Sequence, residues 1–271
     1  MLRKLIRHEL RATGRVMGPL LLLVLVAAVG ANISTYRLLE TDNGMLNTLG
    51  IVLLISYTIA FVASGTMAFV LMVQRFYKNL LRDEGYLTMT LPVSVHEHIW
   101  AKLLTSLIWW IAVLAVAAVS MLILVFNPSI LQEVGTNLAQ LHFGDLNLSQ
   151  NLPHLVLFCA ELALLLAVGG ACVCLHFYAA LAVGYSFTHH KDALAAVSFF
   201  AMPVAWHFIQ WVATFLLNLM NLQGIRLWVQ SLGPMTQMHL TMLAVTAVMA
   251  IPAALYYAIT AYFLKNRLNL G

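Results

Sequence analysis

The feature that most constrains this chain is where its charges are absent. Arg15 and Arg37 bracket one uncharged run, Asp42 and Arg75 a second, and Lys102 and Glu133 a third. Between Asp145 and Lys191 the only charge is Glu161; Asp192 to Arg226 holds none between its ends, nor does Arg226 to Lys265. A bilayer core takes about 20 consecutive apolar residues per helix. Each gap is therefore a span, and the six together predict an all-α membrane protein with six transmembrane helices. With 62% hydrophobic and 9% charged residues, against roughly 25% charged in soluble domains, a water-soluble fold is excluded.

The fourth gap is long for one crossing and barely long enough for two. Basic residues decide between them. With one crossing and the N-terminus inside, only Arg37 and Arg226 of the 14 lysines and arginines fall outside, as the positive-inside rule requires. A hairpin at Gly169 and Gly170 would carry Lys265 and Arg267 to the outer face. Both termini are accordingly expected in the cytoplasm. The net charge of +4 then reports topology, not nucleic-acid binding, because the basic residues flank spans. The basic start and the apolar run after it look like a signal peptide, yet removing that span would upset the charge parity of the remaining five.

Along the chain, residues 1–15 read as an interfacial helix, with Arg3, Arg7, Arg11 and Arg15 recurring every fourth residue and leucines on other faces. The same pattern also fits a basic anchor that only sets orientation. The spans are expected at about 16–34, 48–74, 102–126, 154–187, 193–220 and 239–264. Asn127 and Pro128 end the third, and an outer loop covers 127–153. The segment 221–237, with Trp228 and the breaker pair Gly233 and Pro234, is expected to be broken or re-entrant at the outer interface, and Pro252 to kink the last span. The whole chain, 1–271, reads as one transmembrane domain.

The densest polar stretch, 75–101, lies between spans two and three. Its first part is amphipathic, with Phe76, Leu80 and Leu87 among charged neighbours, and can present an apolar face to a partner. Gly85 permits a bend and Pro92 stops regular structure. Ser94 stands three residues before Glu97, the spacing of a capping box that starts the helix into span three. His96-Glu97-His98-Ile99-Trp100 is no zinc-protease signature, which would need histidine at 100.

At these residues the chain resembles the permeases of type-two ABC exporters, in which an acidic residue and glycine precede a Leu-Pro-x-Ser turn and a lysine entering the third span: here Glu84, Gly85, Leu91, Pro92, Ser94 and Lys102. The resemblance implies a coupling helix within 75–101 that docks on a separate ATPase, through Arg75, Tyr77, Lys78, Arg82, Asp83, Glu84, Gly85, Leu91, Pro92 and Ser94. It also implies a second permease copy, identical or related, and a location in the bacterial plasma membrane. ATP and Mg would sit on the ATPase, since no lysine here follows a glycine and the chain has no phosphate-cradling loop of its own. It is thus read as a non-enzymatic subunit that binds no cofactor. The cargo implied is amphipathic or hydrophobic: a peptide toxin, an antimicrobial peptide or a drug.

Glu161 is the one acid well inside a span, where a carboxylate is costly. It fits a substrate path or a proton relay, the basis of an alternative reading as a proton-coupled carrier. It equally fits a carboxyl hydrogen-bonded between helices. Cys159, Cys172 and Cys174 give no disulfide framework, and helical spacing puts 172 and 174 on nearly opposite faces, so no metal site is expected from them with His176. His189 and His190 read as turn residues, and the methionines as packing or lipid-facing.

Overall fold

A computed structural model describes residues 2–35, 43–81, 85, 93–125, 152–220 and 223–267. Seven α-helices occupy them: α1 (Leu2–Ile33), α2 (Gly44–Phe76), α3 (Val95–Val125), α4 (Leu152–Gly184), α5 (Lys191–Leu219), α6 (Gln223–Ser231) and α7 (Pro234–Asn266). A π-helical turn, Tyr77–Leu81, continues α2. Six helices are long and apolar enough to cross a membrane, α6 being the short exception. The protein is a multi-pass membrane protein by length and composition, and no strand occurs among the described residues.

Helices α2 and α7 overrun the predicted spans at both ends, and α1, α3, α4 and α5 at their N-terminal ends, because the terminal turns carry polar residues outside the uncharged runs. Arg75 lies in the last turn of α2, and Glu97 in the first turn of α3. The segment expected to lie on the surface and the first span are one unbroken helix, α1, with Pro19 inside it. Pro203 and Pro252 likewise lie within α5 and α7. The 221–237 segment is broken: α6 ends at Ser231, Gly233 is extended (φ −62°, ψ 152°), and Pro234 opens α7. Proline suits that first position because its missing N–H would have no intrahelical acceptor there. Most of the segment 127–153, expected as an outer loop, lies outside the described residues.

Contacts group the chain into two compact units: Met1–Met72 with Leu104–Asn147, and Val73–Leu103 with Leu148–Gly271. In the first, one stripe of α1 is buried, Glu9, Thr13, Met17, Leu21, Val24, Ala28 and Ala31. Their three- and four-residue spacing is that of a single helix face. Met17 and Leu21 pack with Ala68 of α2 and Val113 of α3. The four arginines at 3, 7, 11 and 15 are exposed on α1.

Several polar groups in this unit are satisfied between helices. Trp109 Nε1 donates to Thr13 Oγ1 at 2.7 Å, and Thr13 in turn donates to the Glu9 carbonyl at 2.8 Å. Asn32 donates to the Ile123 carbonyl at 2.8 Å, near the end of α3, where helical carbonyls lack intrahelical donors. Ser34 donates to the Gly50 carbonyl at 2.6 Å, and the Tyr57 and Ser120 hydroxyls lie 3.0 Å apart.

In the second unit α4 packs against α7 and α5. Gly184 ends α4 against the start of α5: the Cα and Cβ of Ala195 lie 2.5 Å from where a Cβ on Gly184 would sit. Only a residue without a side chain allows that approach. The connection runs from Tyr185, three residues before the predicted turn, to His190, which is left-handed at φ 54°.

Candidate functional site

Two clusters in the second unit gather the polar chemistry. The first surrounds the beginning of the 75–101 segment. Phe76 stacks on Tyr178 of α4, ring centroids 4.0 Å apart and planes within 7°, and neither side chain is exposed to solvent. Leu80 is equally buried. The apolar face expected to meet a partner is therefore spent within the chain at Phe76 and Leu80. A π turn carries more residues per turn than an α-helix, and Tyr77–Leu81 leaves Tyr77 half-buried and Lys78 exposed.

Tyr77 meets Tyr185 edge to face at 5.3 Å, with hydroxyls 2.7 Å apart, and Tyr185 also hydrogen-bonds Asp192. A hydroxyl has one proton to give. With that of Tyr185 on the Asp192 carboxylate, Tyr77 donates to the Tyr185 oxygen. Burial first, then the bond to Asp192, pushes the Tyr185 phenol well above the usual tyrosine range. Asp192 in the first turn of α5 also suits the positive end of that helix.

The segment re-enters regular structure through the expected capping box. Ser94 N donates to Glu97 Oε2 and Glu97 N donates to Ser94 Oγ, both at 3.3 Å. The three residues of the His-Glu-His run serve three ends. His96 Nδ1 lies 2.6 Å from the Tyr257 hydroxyl, Glu97 caps, and His98 is buried. Lys102 is buried in α3, and Gly85 is buried too. Arg75 lies half-buried at the end of α2. Arg82, Asp83, Glu84, Leu91 and Pro92 lie outside the described residues, so of the expected coupling set the structure places Arg75, Tyr77, Lys78, Gly85 and Ser94.

The second cluster forms around Glu161. Its side chain is 6% exposed. His239 of α7 brings Nδ1 to 2.8 Å from Glu161 Oε2, and His239 Nε2 lies 3.2 Å from Nδ1 of His154, at the beginning of α4. The histidine ring centroids are 5.4 Å apart with planes within 22°. Two ring nitrogens only 3.2 Å apart at that separation meet edge to edge, not face to face. Glu161 is thus hydrogen-bonded between α4 and α7, an arrangement that fits both sequence readings of it. Neither histidine is singled out by sequence; the available signal is that an intramembrane acid needs a partner.

Other candidates stand apart from these clusters. Cys174 is buried, Cys172 half-buried and Cys159 exposed. Among the described residues no group of three or more His, Cys, Asp or Glu is placed to hold a metal ion. Comparison with known proteins adds no relative: no family model, no curated protein and no solved structure matches the chain.

Proposed function

We propose that this chain is the membrane-spanning permease subunit of an ATP-driven ABC exporter. A separate ATPase supplies the energy, and a second permease copy completes the assembly. The supporting observation is the anchoring of the segment that leaves α2. Through Phe76 on Tyr178, and Tyr77 on Tyr185 and Asp192, that segment is fixed to both α4 and the start of α5. A push on it moves two spanning helices, which is what coupling ATP-driven closure to alternating access demands. With Phe76 and Leu80 buried, the ATPase is met by Lys78 together with Arg82, Asp83, Glu84, Leu91 and Pro92.

In this reading 75–101 faces the cytoplasm and the cargo is amphipathic or hydrophobic, a peptide toxin, an antimicrobial peptide or a drug. An apolar groove of about 550 Å³ between α1 and α2 supports that chemistry. Its lining includes Leu20, Ile59, Val62 and Val70, while its Thr58 and Thr66 hydroxyls bond carbonyls of their own helix. A proton-coupled carrier is the second reading, favoured by the buried Glu161–His239 pair.

The test is co-expression of the chain with the ABC ATPase encoded beside it. The exporter reading expects a stable complex that purifies together and is lost when Glu84 and Pro92 are replaced. Failure of the wild type to co-purify, or a complex indifferent to those replacements, would sink it.

A further inference from the structure

We propose that Glu161, His239 and His154 form a binding site for one proton, loaded from the ends of α4 and α7 where Leu152 and Pro234 lie. This inference rests on the geometry of the second unit and is independent of the exporter reading.

The hydrogen inventory leads to it. With Glu161 ionised, its carboxylate accepts only, and the 2.8 Å contact then carries a proton on His239 Nδ1. The 3.2 Å contact between His239 Nε2 and His154 Nδ1 needs one proton between two nitrogens. Without a further proton, His154 supplies it, both imidazoles are neutral, and the cluster carries the single negative charge of Glu161. That charge lies within a span, where an uncompensated ion is expensive.

One proton removes the net charge without breaking either hydrogen bond. It adds to His154 Nε2; the Nδ1 proton of His154 passes to His239 Nε2; His154 is left neutral as its other tautomer. His239 is then an imidazolium that donates to Glu161 from one nitrogen and to His154 from the other. The cluster changes from one negative charge to none, and the proton bound equals the proton taken from water. Exposure falls in the same order, His154 being half-buried, His239 8% and Glu161 6% exposed. The chain thus has an entry group, a carrier and a buried counter-charge.

Little else competes for that proton. The next titratable residue of α4 toward the cluster is Cys159, which is exposed. Beyond His239, α7 has no titratable residue before Tyr256. On α5, the other helix packed on α4, His207 is exposed and bonded to Gln210 at 3.2 Å, and Lys191 and Asp192 lie in its first turn, with Asp192 hydrogen-bonded to Tyr185. Among the described residues of α4, α5 and α7, then, His239 is the charged or titratable group paired with Glu161.

The experiment uses the full chain, labelled with ¹⁵N-histidine, in lipid nanodiscs, with imidazole ¹⁵N spectra recorded from pH 8 to pH 5, the range over which histidine ordinarily changes charge. His239 and His154 are assigned by single replacement. The expected result is one imidazolium per pair, centred on His239, in the wild type, and its loss in Glu161→Gln, which keeps an acceptor but removes the counter-charge. His154→Gln retains it, because His239 keeps its carboxylate. An unchanged imidazolium signal in Glu161→Gln, or a pair that stays neutral to pH 5 in the wild type, would overturn the proposal. Should Glu161→Gln not fold, His154→Gln decides alone: retention of the His239 imidazolium supports the site, and a neutral His239 throughout refutes it.

Discussion

Replacing Gly184 by alanine tests how α4 meets α5. Two effects of opposite sign compete. Alanine is the better helix former by at most about 1 kcal/mol, so in open surroundings the variant gains stability. At Gly184 the added methyl would sit 2.5 Å from both Cα and Cβ of Ala195, with the amide nitrogen nearer still. Restoring ordinary contact near 3.4 Å moves one helix by roughly 0.9 Å, far more than a packed interior absorbs without losing contacts.

Because the obstructing atoms belong mainly to backbone, no side chain can swing aside. Overpacking of this kind costs about 1–3 kcal/mol, and the upper end applies, giving a net loss of about 2 kcal/mol. In detergent-purified full-length protein that corresponds to a thermal midpoint lowered by about 4–8 °C. Gly65, around which a Cβ would meet nothing within 4 Å, is the control: Gly65→Ala should match or exceed the wild type. A Gly184→Ala protein as stable as Gly65→Ala would refute the close approach of α4 and α5.

Further outcomes follow from the same unit. Phe76→Ala removes a fully buried ring stacked on Tyr178 and should cost about 3–5 kcal/mol; Phe76→Leu should recover most of it in the same thermal assay. Tyr185→Phe deletes the hydroxyl linking Tyr77 and Asp192 and should cost about 1–2 kcal/mol near neutral pH. Since the folded chain holds the Tyr185 proton where an unfolded one releases it, the wild type should lose stability as pH rises above about 10. Tyr185→Phe should flatten that part of the profile, and an unchanged alkaline slope would contradict the buried phenol. Ser94→Ala should cost about 0.5–1 kcal/mol by uncapping α3, read as faster amide exchange confined to its first turn.

What was legible in the sequence is what depends on one helix at a time. Six spans follow from gaps between charges, and the Ser94–Glu97 cap from a spacing of three. The break before α7 follows from Gly233 and Pro234. The helix ends were less legible, since Arg75 and Lys102 mark where the uncharged runs stop, not where backbone hydrogen bonding does. Least legible were contacts between distant segments. His239 stands 78 residues from Glu161, and no local pattern pairs them. Phe76 and Leu80 form an apolar face that periodicity reveals, but whether α4 or another protein covers it is a tertiary matter, and Tyr178 decides it for Phe76.

The hydrogen bond from Ser34 to Gly50 fastens the first helical hairpin just inside its connection. With the neck held there, an insertion between the two helices costs little, because closure free energy grows slowly with length, about 0.6 kcal/mol per doubling. An epitope or a cysteine label placed between residues 36 and 42 would then ride on an otherwise undisturbed protein. It would report, in intact cells, which face of the membrane that connection occupies.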